Sequence, residues 1–287
     1  MSQDWADKIT QQLLKGGLIQ TGICLILGAV DTGKTTLAMA LAKRLAKQQP
    51  VGIVDADIGQ SHIGPPTTVG WTIIDSQQVD FSQLTACEIS FVGDVTPVGH
   101  LLQLTAAIVQ CVRRASEAAE LIIIDTPGFI HGPAATALWW AVQRILNPKL
   151  ILAVQRSDEL RDIVAGLRSF DLRLELISCP PEIPLKSPQS RQRYRRNQFD
   201  EYFRDSCLHN ISLGDVVIQS SRSLSRERLL SSLVALRDGR GIDLAIGLIV
   251  DWQEDKDVLV VRAPQLDPPG TGQIRCLVIG DISIDIA

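Results

Sequence analysis

The chain has 287 residues, of which 45% are hydrophobic, and a formal net charge of −4. That length can bury a full core, the composition is not that of a disordered chain, and no apolar run reaches the roughly 18 residues of a membrane span. The negative balance disfavours a broad non-specific nucleic-acid surface, so any contact of that kind has to be local.

The N-terminal stretch MSQDWADKITQQLLK is polar and mixed in charge, unlike a secretory signal. Trp5, Ile9 and Leu13 fall four apart, which predicts an amphipathic helix packed on the core. The six cysteines are scattered and form no CxxC pair. This argues for a reducing, cytoplasmic setting and against a zinc site.

Apolar runs at 23–28, 51–55, 88–92, 121–125, 149–154 and 174–178 read as buried parallel strands. Helical stretches near 34–47, 100–118, 133–146 and 157–168 separate them. The alternation predicts an α/β fold: a mostly parallel sheet with helices on both faces and ligands at the carboxyl ends of the strands. Near 180–190 a proline-rich loop interrupts the pattern, and a basic helix follows over 187–204. Beyond 206 the runs are shorter and β-like, at 215–219, 245–250, 258–261 and 274–279, with a helix expected near 224–237. Turn signals at Asp238-Gly239 and Pro268-Pro269-Gly270 separate them. The expected division is a domain over 1–206, lid helix included, and a small mostly-β domain over 207–287.

The first strand runs into GAVDTGKTT: Gly28, Ala29, Val30, Asp31, Thr32, Gly33, Lys34, Thr35 and Thr36. G-x-x-x-x-G-K-T between a buried strand and a helix is the P-loop, the cradle of a nucleoside triphosphate. Its glycines let successive N–H groups converge on one anion, and the new helix adds its positive end. Lys34 is expected on the outer phosphates and the Thr35 hydroxyl on Mg²⁺.

The second strand ends in Asp55-Ala56-Asp57. Two residues apart in an extended segment, the carboxylates share a side, where one can hold Mg²⁺ or take a proton from an attacking hydroxyl. Ile122-Ile123-Ile124-Asp125-Thr126-Pro127-Gly128 is a Walker B strand, with Asp125 supporting Mg²⁺. No N/T-K-x-D guanine signature occurs, and the strand at the expected place ends in Gln155-Arg156-Ser157-Asp158.

Ser187-Pro188 reads as an N-cap and first-turn proline for the basic helix. Between Lys186 and Arg204 lie six basic residues against two acids. Arg191 and Arg195 share a face with Phe199 and Tyr202, and such a placement requires an anionic partner. A triphosphate fits, with the helix acting as a lid. Phe129, beside the Walker B loop, is either a stacking platform for a base or core packing, and the residues leave both open. His62, His100 and His131 are open to a catalytic role, although lone histidines near turns are more often hydrogen-bonding residues, and none has metal-ligand spacing to another His or Cys.

GAVDTGKTT, DADIGQ, FVGDVTPVGH, DTPGFIHG and R-x-x-x-R before EYF occur in this order, and the chain thereby resembles the polynucleotide 5′-hydroxyl kinase family. That family includes the kinase subunit of pre-mRNA cleavage factor and the kinases of ribosomal-RNA processing. The resemblance covers roughly residues 20–206 and more weakly the tail. It implies transfer of the γ-phosphate of ATP, with Mg²⁺, to RNA or DNA bearing a free 5′-OH end. It also implies Asp57 as general base and Mg²⁺ neighbour, Arg191 and Arg195 as lid arginines, and Gln60, Thr96, Thr126 and Phe129 on the acceptor side. Members commonly carry Trp where this chain has Phe129. The N-terminal β domain of larger eukaryotic members has no counterpart in the sequence, so partner contacts made there are not transferred. Two other readings stay open: an ATP-bound scaffold of a processing complex without turnover, and an NTPase switch.

Overall fold

The computed structural model describes residues 2–17, 20–75, 84–220, 225–266 and 271–284. Helix α1 (Ser2–Lys15) precedes strand β1 (Gly22–Gly28), which leads through the P-loop into α2 (Lys34–Leu45). Next come β2 (Val51–Asp55), β3 (Thr68–Ile74), β4 (Glu88–Phe91), α3 (Leu101–Ser116) and β5 (Leu121–Asp125). Then follow α4 (Gly132–Leu146), β6 (Leu150–Gln155), α5 (Arg161–Leu167), β7 (Arg173–Ser178) and α6 (Pro188–Tyr202). The remainder holds β8 (Ser206–Ser212), β9 (Val217–Gln219), the short α7 (Arg226–Leu229), β10 (Ser232–Asp238), β11 (Asp243–Gln253), β12 (Val258–Pro264) and β13 (Ile274–Ser283).

One mixed sheet runs in the order β7-β6-β1-β5-β2-β3-β4-β11-β10-β13-β9, with β12 branching off β11 and β8 pairing with β12. Its first five members are parallel. The inner four, β6, β1, β5 and β2, are mostly buried apolar runs because helices cover both faces, whereas the edge strand β7 is largely half-buried or exposed. One face packs Leu13 of α1 and Leu37, Leu41 and Leu45 of α2 against Ile26, Ile53 and Ile123. The other receives Leu104 and Ile108 of α3, Trp139 of α4 and Ile163 of α5. The register sets Asp125 opposite Ile26 on one side and opposite Asp55 on the other. The three motif-bearing strand ends therefore meet at one edge, with β1 between β5 and β6.

Two sequence expectations change here. The run at 88–92 is not a parallel neighbour of the core. β3 intervenes, antiparallel to both β2 and β4. Second, the helix expected near 224–237 is limited to Arg226–Leu229, and β10 takes over from Ser232. Ser231, at φ 66°, breaks the helix. Packing then overrides the helix propensity of Leu233, Ala235 and Leu236, which are buried in a strand paired on both sides. The expected Pro268-Pro269-Gly270 turn lies outside the described residues.

The C-terminal β layer joins the sheet at its antiparallel strand β4, where Asp243 pairs with Ile89. The buried Asp243 carboxylate accepts from the Phe91 amide at 2.7 Å and from Arg237 Nε at 2.6 Å. Phe199 and Phe203, at the end of the lid helix, pack with Phe91, Leu233 and Ile246. The lid helix is thus anchored at its carboxyl end by the β layer. No helix among the described residues is long and apolar enough to cross a membrane, and all six cysteines are free thiols.

Candidate active site

The P-loop closes on itself before it meets any other element. Thr32 Oγ1 and Lys34 Nζ donate to the Ala29 carbonyl at 2.9 and 2.7 Å. Gly33 sits at φ 88°, and a Cβ there would come within about 3 Å of Ile183 and Trp5, so only glycine fits. Gly128, after the Walker B strand, is equally required, since a Cβ would lie 2.5 Å from the Val30 amide nitrogen. Lys34 is buried, and that burial pulls its pKa down, opposed by the Asp125, Asp57 and Asp31 carboxylates.

The cleft over this loop has a volume of about 490 Å³. Residues Val30 to Thr36 form its floor, Asp57, Gln60 and His62 one wall, and Ile183, Lys186 and Arg191 the other.

Thr35 in the floor is bonded to the buried Asp125 behind it. The Thr35 hydroxyl donates to Asp125 Oδ2 at 2.5 Å, while Asp125 Oδ1 is buried without a hydrogen-bond partner. Burial, with the nearby Asp57 charge adding to it, raises the Asp125 pKa to about 6, against the pull of Lys34 and the Thr35 hydrogen bond. Among the described residues no cluster of three or more His, Cys, Asp or Glu side chains could hold a metal alone. A hydroxyl plus a carboxylate with one free oxygen fits Mg²⁺ shared with substrate phosphates, the usual arrangement for that ion.

The structure separates the two carboxylates of the second motif. Asp55 is buried and accepts from the backbone amides of Asp57 (3.0 Å), His62 (2.6 Å) and Ile63 (3.1 Å). These bonds bend the chain out of the extended conformation, so Asp55 shapes the loop and Asp57 alone faces the cleft. Burial raises the Asp55 pKa, and the neighbouring Asp125 adds to the shift. Asp57 Oδ1 accepts from the Gly59 and Gln60 amides at 3.1 and 3.0 Å, and its Oδ2 has no partner among the described residues. Gln60 Oε1, on the same wall, is buried and unpaired.

The lid helix starts as its sequence suggests, with Ser187 Oγ accepting from the Ser190 amide at 3.1 Å. Arg191 reaches Asp31 at 2.7 Å, and the Lys186 amide donates to the same carboxylate oxygen at 2.8 Å. Arg195 is half-buried, lies outside the cleft lining and forms no hydrogen bond or ion pair among the described residues. Tyr194, which the sequence did not single out, donates its hydroxyl to the Ser61 carbonyl at 2.8 Å and lays its ring 5.7 Å from that of His62.

Three acceptor-side expectations have different outcomes. Thr96 is exposed on the loop after β4. Phe129 packs on the core beside α4, where Trp139 Nε1 donates to its carbonyl at 2.7 Å, and it does not line the cleft. Thr126 is fully buried and its hydroxyl is spent on the Ile26 carbonyl at 2.7 Å, so its side chain ties β5 to β1 and cannot meet substrate. Arg156 also escaped the sequence reading. Its guanidinium bridges the carbonyls of Asp31 (2.7 Å) and Ile183 (2.8 Å), at the strand end that lacks the guanine-reading lysine.

Residues 28–205, well over half the chain, match the family model of the mRNA cleavage and polyadenylation factor CLP1 P-loop. The chain belongs to this family. A polyribonucleotide 5′-hydroxyl-kinase of Pyrococcus abyssi is 31% identical over 206 residues, which cover 71% of this chain and 57% of that protein. Its counterpart in Methanocaldococcus jannaschii is 30% identical over 209 residues, with 72% and 57% covered. The chain therefore spans little more than half the length of these CLP1-family relatives. A chain of the solved wild-type Clp1p–Pcf11p complex superposes with a TM-score of 0.73 over 98% of this chain and 79% of its own, at 15% identity. A second structure, of the extended interface between Pcf11p and Clp1p, gives 0.75 over the same shares. At that identity these matches establish the CLP1-type fold and nothing finer.

Proposed function

We propose that this protein is an ATP-dependent polynucleotide 5′-hydroxyl kinase that transfers the γ-phosphate of ATP to the 5′-OH end of RNA or DNA. The observation that carries the reading is a cleft holding both a P-loop and a second carboxylate, Asp57, with an oxygen free to accept a proton. An NTPase switch has no need of that carboxylate, whereas transfer to a hydroxyl does. The relatives named as polyribonucleotide 5′-hydroxyl-kinases support the same conclusion.

The residues divide the work by position. Lys34 and the amides of Gly28–Thr36 hold the triphosphate, and Arg191 faces the charge that builds on the transferred phosphoryl group. Arg195, one turn along the same helix, is assigned to that charge when the lid closes over substrate. Asp57 takes the proton of the attacking hydroxyl, while Gln60 and Thr96 belong to the acceptor side; Phe129 is placed there by family resemblance alone, since its ring packs on the core outside the cleft. Mg²⁺, held by the Thr35 hydroxyl and by Asp125 and Asp57 directly or through water, supplies neutralisation of phosphate charge. We assign these roles to a P-loop domain over 1–206 and a β domain over 207–287, in a cytoplasmic protein.

The test is transfer of γ-labelled phosphate from ATP to short 5′-OH RNA and DNA, with Lys34→Ala as the blank. Label on the oligonucleotide that disappears in the variant establishes the kinase and names its preferred acceptor. Tight ATP binding with no label on either acceptor would overturn the reading in favour of a scaffold.

A further inference from the structure

The loop Gly93–His100 links β4 to α3 and carries Thr96. Its inner side rests on the turn that presents Asp57 and Gln60. The Val95 carbonyl stands 2.8 Å from where a Cβ on Gly59 would be, so turn and loop touch backbone to backbone. Its outer side is open, with Thr96, Gly99 and Val98 exposed, Val98 by 63%.

Both ends of this loop are fastened to one residue of β13, Asp281. The Asp281 amide donates to the Gly93 carbonyl at 2.9 Å. The Asp281 carboxylate lies 2.9 Å from His100 Nε2, and His100 Nδ1 lies 3.1 Å from the Val98 carbonyl inside the loop. Gly280 permits the approach, since a Cβ there would come within 2.9 Å of the Gly93 carbonyl. The side chains of His100 and Asp281 are 11% and 16% exposed, so water competes weakly for the contact.

We propose that Asp281 and His100 are positioning residues of the acceptor site: the C-terminal β layer sets the loop that bears on the Asp57–Gln60 turn. The inference rests on the kinase reading above. A tie that only held β13 to the domain would end at the sheet. This one continues through the imidazole to the Val98 carbonyl, at the open face that an acceptor strand meets. The β layer thereby shapes the acceptor end of the cleft and leaves the P-loop end to α1, α2 and the lid.

The experiment measures acceptor KM, ATP KM, kcat and thermal midpoint for His100→Ala, Asp281→Ala, the double variant and Asp281→Asn. Loss of a charge-assisted hydrogen bond is expected to raise acceptor KM roughly tenfold in each alanine variant, with ATP KM unchanged. The double variant should be no worse than either single one, because both break the same link. Asp281→Asn, which still presents an acceptor oxygen to His100, should recover most of the loss. Unchanged acceptor KM in both alanine variants, or a parallel rise of both KM values with a lowered midpoint, overturns the inference. If the wild-type protein phosphorylates no acceptor, the kinase reading fails instead, and amide exchange across residues 93–104 then tests the latch alone. Faster exchange there in Asp281→Ala supports it, and an unchanged pattern overturns it.

Discussion

The Arg191 guanidinium of the lid helix lies 2.7 Å from the Asp31 carboxylate at the tip of the P-loop, 160 positions away in the sequence. Asp31 holds a left-handed backbone, φ 56°, which costs an L-residue about 1–2 kcal/mol. Hydrogen bonds from Lys186, Arg191 and Arg156 offset that strain. The α6 helix is thereby tied to the P-loop, and on the proposed reading its position and phosphate binding would be linked.

Arg191→Ala removes a positive charge from the lining of the cleft over the P-loop. By analogy with the loss of one donor to a developing charge, kcat should fall roughly 10²- to 10³-fold. Asp31→Ala keeps that charge but frees the lid, so the expected outcome is faster amide exchange in the first turn of α6 with a smaller loss of kcat. Equal kcat losses in the two variants would mean that Arg191 acts only through Asp31.

Asp55 and Asp57 should give opposite phenotypes despite their spacing. Asp57→Asn keeps an oxygen for the Gly59 and Gln60 amides but cannot take a proton, so turnover should fall roughly 10²- to 10⁴-fold with ATP affinity intact. Asp55→Ala leaves the amides of Asp57, His62 and Ile63 without their acceptor, at about 1–3 kcal/mol for each one that stays buried. Its signature is a lower thermal midpoint. Turnover near the wild-type level in Asp57→Asn would falsify the general-base assignment.

The difference between these two carboxylates marks how far the sequence could be read. The P-loop and Walker B strand were legible because their chemistry is local: a few residues at fixed spacing dictate both the turn and the ligand. Five of the six runs read as parallel strands are parallel in the sheet, four of them mainly apolar stretches and the fifth, edge strand β7, interrupted by Glu175. What was not legible depends on distant partners. Arg156 carries no signal of its own until β6 lies beside β1 and brings it to Asp31. Tyr194 looks like one more residue of a basic helix until its hydroxyl meets Ser61. Thr126 directly follows the Walker B aspartate, yet the register of β5 against β1 turns it inward. The segment 232–238 has helix-forming residues and becomes a strand only because β11 and β13 flank it.

Chelation of divalent ions should abolish transfer while leaving the thermal midpoint of the protein without nucleotide unchanged, since a direct hydrogen bond already joins Thr35 to Asp125. Thr35→Val keeps the shape and removes the hydroxyl. It should raise the Mg²⁺ concentration needed for half-maximal rate roughly tenfold or more, as loss of a ligand does. An unaltered Mg²⁺ requirement in Thr35→Val would remove that residue from the metal site.

Phe129 offers the sharpest contrast between the two readings of a single residue. Its ring packs on the core and stands outside the cleft lining, while its carbonyl receives the buried Trp139 indole. If packing is its whole role, Phe129→Leu should lower stability by about 1–2 kcal/mol, a modest volume change at a half-buried site, and leave acceptor KM unaltered. If the ring also stacks on a base in the bound complex, acceptor KM should rise several-fold or more, the scale of the roughly 1–3 kcal/mol that one stacked base contributes. Phe129→Trp separates the cases further. A larger ring enhances stacking but strains a site that already holds Trp139, so tighter acceptor binding at an unchanged midpoint would favour stacking. A lowered midpoint with unchanged KM would favour packing.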